Sequence, residues 1–214
     1  QPDDLTKDAS KMILVVEGIS AAGKTTWCNQ VASASLLPES FAADRKSQPV
    51  QGAQAAAYWT SWNAKRWSDA CFIEQSCGLA VCDTDPLKLH YSWCLRQIGK
   101  STEAEWQLAW QAARRAIAAQ QLGFADVYLV KVIDAATARI QMQGDSSRTR
   151  TNFELHLRLQ APLLDWYRVI EQVFPGRVHW ELPADLKIPS MPSNDRRYAV
   201  QAFDALLASL PEAA

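Results

Sequence analysis

Residues 11–26 read KMILVVEGISAAGKTT. Lys11 to Glu17 is a β-branched, apolar run that stops at Gly18, the pattern of a parallel strand buried on both faces. Gly18, Ile19, Ser20, Ala21, Ala22, Gly23, Lys24 and Thr25 then spell GxxxxGK[ST] in full. A helix is expected from Lys24, with Trp27, Val31 and Ala34 on one face, until Leu37 and Pro38 end it. Strand, glycine-bounded loop and helix in that order form a phosphate-binding loop, or P-loop. The two glycines let the backbone wrap closely around a polyphosphate, so that successive N–H groups and the helix N-terminus point at its oxygens. Lys24 supplies a charge for the β- and γ-phosphates, and the Thr25 hydroxyl is placed to ligate Mg²⁺. The nucleotide-binding set is therefore Gly18, Ser20, Ala21, Ala22, Gly23, Lys24, Thr25 and Thr26.

Downstream of the loop, strands and helices alternate. Phe41–Ala43 reads as a short second strand ending at Asp44, and Gly52–Gln75 as a long helix stopped by Gly78. Leu79–Cys82 is a third strand, followed by helices over Leu87–Ile98 and Thr102–Leu122. Thr102 with Glu105 has the form of a capping box. Asp126–Ile133 is a fourth strand, Ala135–Gln143 a helix, and Phe153–Val173 a long helix that Pro162 must kink or interrupt. Arg177–Glu181 is the last strand and Asn194–Leu210 the closing helix. This alternation predicts a parallel sheet covered on both faces, a three-layer α/β/α sandwich. Residues 11–210 read as one domain, preceded by a polar, aperiodic leader over residues 1–10.

The bulk properties restrict the partners. A formal net charge of −1 with 21% charged residues lacks the concentrated positive charge that nucleic acid or an anionic membrane requires. Met12–Val16 is far too short to span a bilayer, so the chain reads as soluble. Five cysteines without CxxC spacing read as free buried thiols, and with them a cytoplasmic location is expected.

A bound nucleotide can be put to several uses. An NKxD guanine-reading tetrapeptide and a DxxG switch, the marks of a GTPase, are not evident, and neither are the sensor or signature elements of a motor ATPase. The sequence CDTDP offers a different chemistry. Asp83, Thr84 and Asp85 stand at the carboxyl end of a buried strand, the edge where open α/β sheets place their ligands. Asp83 there can hold Mg²⁺ through water or take a proton from an attacking hydroxyl. Asp85, just before Pro86, reads equally as a helix cap or a substrate ligand. Asp44 is a further candidate base on the acceptor side. Arg139, Arg148 and Arg150 lie in or beside a polar, glycine-containing segment, approximately residues 139–152. A lid that closes over the donor and stabilises charge on the transferring phosphoryl group has that composition, and so does a solvated loop with surface arginines. Among nine tryptophans, Trp59 and Trp62 fall on the long helix after the second strand, where they can stack on a planar acceptor or pack in the core. His156 and His179 read as structural, and Lys88 and His90 as either acceptor neighbours or parts of a helix.

EGISAAGKTT, a strand ending in CDTDP, an arginine-bearing segment and a long helix, in that order, resemble the nucleoside and nucleotide kinase branch of P-loop proteins. The Asp83-Thr84-Asp85 triplet is similar in particular to that of the ribosylnicotinamide kinase type. The resemblance implies a P-loop nucleoside triphosphate hydrolase fold with a five-stranded parallel sheet and a helical lid. It implies ATP as phosphoryl donor, Mg²⁺ at Thr25 and Asp83, and lid arginines Arg148 and Arg150. The DR[YFW] of thymidylate-type kinases and the ERS of deoxynucleoside kinases are absent, so the acceptor is not assigned by motif.

The expected activity is transfer of the γ-phosphate of ATP to a hydroxyl or phosphate of a nucleoside, nucleotide or similar small acceptor. Lys24, Asp83, Arg148 and Arg150 would be catalytic, and Asp44, Trp59, Trp62 and Asp85 would hold the acceptor. Two other classes stay open: a nucleotide-dependent regulatory or interaction module, and a kinase of an antibiotic or other secondary metabolite. The oligomeric state is open too, a homodimer included.

Overall fold

Five parallel strands lie in the order β2-β3-β1-β4-β5. They are β1 Met12–Gly18, β2 Leu36–Leu37, β3 Leu79–Asp83, β4 Val127–Lys131 and β5 Val178–His179. The structure, a computed structural model, describes residues 11–40, 48–49, 51–144, 153–190 and 196–212. The helices are α1 Lys24–Ala32, α2 Gly52–Cys77, α3 Leu89–Gln97, α4 Glu103–Ala118, α5 Ala135–Gly144, α6 Phe153–Arg158, α7 Gln160–Val173 and α8 Val200–Ser209. The fold is the expected α/β class with a five-stranded, all-parallel sheet.

Because side chains alternate along a strand, β1 feeds two cores. Ile13 and Val15 point into the larger, which is filled by Trp67 of α2, Trp93 of α3, Ile117 of α4, Trp166 and Ile170 of α7 and Phe203 of α8. Leu14 and Val16 point into the smaller one, closed by Trp27 and Cys28 of α1 with Leu182 and Ile188 packed against it. Among the described residues the layer over that second face is therefore one helix and an irregular strap, which the Trp27 indole fastens by donating to the Pro183 carbonyl at 3.0 Å. Trp67, Trp93 and Trp166 are almost wholly buried. Truncating a buried tryptophan to alanine costs about 3–5 kcal/mol.

Local signals set several boundaries as expected. Thr102 and Glu105 form the capping box at the start of α4, and Gly78, at φ 78°, ends α2 with its N–H on the Glu74 carbonyl. The stretch after α1 differs from the sequence reading. The second strand is Leu36–Leu37, paired with Val81 and Cys82, where the end of the first helix was expected; α1 stops at Ala32 and a 3₁₀ turn, Ser33–Ser35, follows. Phe41–Ala43, the stretch expected to form that strand, lies outside the described residues. The long helix is interrupted, as expected, at Leu159, one turn before Pro162, and so divides into α6 and α7. Pro162 sits in the first turn of α7 and has no N–H to give the carbonyl of Arg158, four residues back, so the interruption expected of it falls one turn ahead of the ring.

No helix among the described residues is long and apolar enough to cross a membrane. All five cysteines are free; Cys28, Cys82 and Cys94 are buried, but Cys71 is partly exposed and Cys77 exposed, which corrects the expectation that all are buried.

Candidate functional site

The register of the sheet brings the site together. Val16 lies beside Asp83 and Gly18 beside Lys131, so the carboxyl ends of β1, β3 and β4 meet where the glycine-bounded loop begins. Gly18 is required there: a Cβ on it would stand 2.6 Å from the Lys131 carbonyl oxygen, and its φ is +148°. Ala21 and Gly23 both take left-handed backbone, at φ 69° and 79°. No side chain caps α1 at Gly23, which leaves the first-turn N–H groups of the helix facing the loop, an arrangement suited to an anion. Lys24 lies across the loop, its Nζ donating to the carbonyls of Gly18 at 2.8 Å and Ile19 at 3.2 Å.

Thr25 and Asp83 face one another across the gap between loop and strand: Thr25 Oγ1 donates to Asp83 Oδ2 at 2.6 Å. Asp83 Oδ1 is buried and has no hydrogen-bond partner among the described residues. Burial pushes the Asp83 carboxyl above the ordinary range, against the opposing pull of the Thr25 hydrogen bond and Lys24. Behind it, the buried Arg66 guanidinium is spent on scaffolding, donating to the Pro38 carbonyl at 2.8 Å and to Ser40 Oγ at 2.9 Å, which ties the end of β2 to α2.

The hydroxyl and carboxylate of Thr25 and Asp83 suit Mg²⁺, a hard cation that takes oxygen ligands and is normally held by one or two protein groups plus substrate phosphates. Among the described residues no group of three or more His, Cys, Asp or Glu side chains forms a metal cage, so the pair fits a cation that arrives with a nucleotide.

A residue passed over in the sequence organises the neighbouring turn. Glu17, the last side chain before the loop, is buried. Its Oε1 accepts from Thr84 Oγ1 and from the Asp85 N–H at 2.8 Å, and its Oε2 from the Gly18 N–H at 3.1 Å. His90 Nε2 is 3.4 Å from Oε1. Burial alone would raise the Glu17 pKa, but His90, Lys88 and Lys24 outweigh it and hold the value down at about 2. Burial pulls His90 the other way, to about 4, so above that pH a neutral imidazole sits beside an ionised carboxylate.

Asp85 is buried on the core side of the same turn, with Oδ1 accepting from the Leu87 N–H at 2.9 Å and Oδ2 from the Tyr167 hydroxyl at 3.4 Å. Burial raises its pKa to about 7. On the open side, Lys88 Nζ reaches Glu39 Oε1 at 3.4 Å and Thr84 Oγ1 at 2.8 Å. Glu39 is thus a second carboxylate beside the end of β3. It follows the dileucine strand, which was too short to be read as a strand and so drew no attention to the residues behind it.

The other candidates are dispersed. Trp59 is 40% exposed and meets Tyr58 edge-on at 5.1 Å between ring centroids; Trp62 is partly buried. Ser20 is partly exposed and Thr26 exposed at the loop mouth. Arg139 on α5 pairs with Glu154 on α6, Nη2 to Oε2 at 3.1 Å. Asp44, Arg148 and Arg150 lie outside the described residues.

The sequence matches no protein family and no curated protein. Among solved structures, the chain is similar to a deoxyadenosine kinase from M. mycoides with bound dATP, with a TM-score of 0.47 and 12% sequence identity over 83% of this chain and 93% of that one.

Proposed function

We propose that the chain is an ATP-dependent small-molecule phosphotransferase that moves the γ-phosphate of ATP to a hydroxyl of a nucleoside, nucleotide or similar acceptor. The observation that carries this reading is the Thr25–Asp83 contact, a loop hydroxyl and a strand-end carboxylate 2.6 Å apart beside Lys24. Phosphoryl transfer asks little covalent chemistry of a protein and a great deal of positioning and charge. The loop N–H groups and Lys24 hold the β- and γ-phosphates. Thr25 Oγ1 and Asp83 Oδ2 would hold Mg²⁺, which when bound would supply positive charge at the phosphates. Asp83 Oδ1, which has no hydrogen-bond partner among the described residues, orients the acceptor hydroxyl and takes its proton as the acceptor oxygen bonds to the γ-phosphorus and the bond to the β-phosphate oxygen breaks, releasing ADP. Glu39 is the second carboxylate on the acceptor side. Arg148 and Arg150, with Arg139, are the lid cations in this reading, and Asp44, Trp59 and Trp62 belong to the acceptor side.

ADP release from the purified protein with Mg²⁺ and ATP, measured across a panel of nucleosides, nucleotides and other small alcohols, tests the proposal. One or more acceptors should stimulate release, and Lys24→Ala should abolish the stimulation. Flat release across the panel, together with a stable protein partner, would favour the regulatory module instead.

A further inference from the structure

A hydrogen-bonded chain runs through the site from the donor loop to the acceptor edge, and every member is placed. Glu17 is buried, ionised and one residue before Gly18. Thr84 Oγ1 gives its only proton to Glu17 Oε1, so toward Lys88 that oxygen can only accept, and Lys88 Nζ donates to it at 2.8 Å. The same ammonium reaches Glu39 Oε1 at 3.4 Å. The Lys88 and Glu39 side chains are 32% and 28% exposed, against 4% for Glu17, so the chain begins in the core and ends at the open edge.

The backbone of this turn is held against its preference. Thr84 has φ 75° and Lys88 φ 50°. A β-branched residue in left-handed backbone is a true outlier, and such positions persist where the surroundings over-determine them and where the side chain is needed. The surroundings here are the Thr84 N–H on the Val16 carbonyl at 3.1 Å and the Asp85 N–H on Glu17. Glycine or asparagine would relieve the strain but would not supply a hydroxyl that donates inward and accepts outward.

We propose that Thr84 is a positioning residue of the acceptor side: its hydroxyl, fixed by Glu17, sets Lys88 against Glu39 and so places the charge that meets the acceptor next to Asp83. This rests on the phosphotransferase reading for its consequence in turnover, while the placement of Lys88 stands apart from any activity. Thr84 acts through Lys88 and Glu39 and touches no reacting atom.

Thr84→Val keeps the branched shape and removes the hydroxyl; Thr84→Ser keeps the hydroxyl and serves as the conservative rescue. The first readout is the reactivity of Lys88 toward a limiting dose of acetic anhydride, followed by mass spectrometry of the peptide. It should rise severalfold in Thr84→Val, rise also in Glu39→Gln at that partly buried position, and stay at the wild-type level in Thr84→Ser. The second readout is steady-state phosphotransfer: Thr84→Val should lower kcat over acceptor KM by roughly ten- to a hundredfold with the KM for ATP unchanged, and Thr84→Ser should restore most of it. Wild-type protein lacking Lys24-dependent transfer would sink the kinase reading, and the Lys88 reactivity would still decide the chain. Equal Lys88 reactivity in Thr84→Val and Thr84→Ser would overturn the proposal.

Discussion

Thr25 Oγ1 donates to Asp83 Oδ2 at 2.6 Å, joining the first turn of α1 to the end of β3 across 58 residues of sequence. If that pair receives Mg²⁺, Thr25→Val should remove a ligand without disturbing the loop N–H groups proposed to hold the phosphates. Calorimetric titration with a non-hydrolysable ATP analogue is expected to give binding roughly tenfold or more weaker in Mg²⁺. With a chelator present, the variant and the wild type should bind alike.

Gly18 sits against the neighbouring strand. A methyl group added there meets the Lys131 carbonyl at 2.6 Å, and main chain yields far less than a side-chain tip. Gly18→Ala should therefore cost about 1–3 kcal/mol of stability and weaken nucleotide binding as well, since the loop leaves the sheet at this residue. Urea denaturation and ATP titration of the same preparation measure both effects.

At the opposite end of the sheet, Arg197 is clamped between Glu74 of α2 and Asp126 at the entry to β4, with Nε on Asp126 Oδ1 and Nη1 on Glu74 Oε2, both at 2.9 Å. Asp126 in turn accepts from the Ile13 N–H at 2.7 Å. Arg197→Met leaves two buried carboxylates without their cation and should destabilise the fold by about 3–5 kcal/mol. Nucleotide affinity of the molecules that remain folded should not change, which separates this clamp from the site.

His90 gives a pH dependence with a defined sign. Its ordinary value is 6.5, and burial lowers it to about 4 in the fold, with Glu17, Lys88, Lys24 and Glu39 as the charges around it. As pH falls below 6.5 the unfolded chain takes up a proton that the folded chain does not, until about pH 4. The stability present above 6.5 is therefore lost as pH falls through that window. In urea titrations from pH 7 to pH 4, the wild type should lose stability relative to His90→Gln. A constant difference between the two would show that the imidazole is not buried neutral.

What was legible in the sequence was local. β1 and the loop announce themselves within sixteen residues, and the capping box at Thr102 is complete in four. β2 was not read because two leucines carry no periodicity, and its identity comes from pairing with Val81 and Cys82 far along the chain. Glu17 read as the polar end of a strand. Its role appears only when the turn after β3 folds back beside it, so that a threonine 67 residues away donates to it. Asp83 was legible because a carboxylate at the end of an apolar strand is itself a signal. Lys88 was open between acceptor neighbour and helix residue, and Glu39 reads as an ordinary surface residue until the sheet order places β2 beside β3.

The most direct test of the account is Asp83→Asn, an exchange that keeps the shape of the side chain and removes the charge and the proton acceptor. ATP binding without metal should remain close to that of the wild type, and acceptor-stimulated ADP release should be lost. Full phosphotransfer by Asp83→Asn to an acceptor that the wild type uses would contradict the assignment of this site.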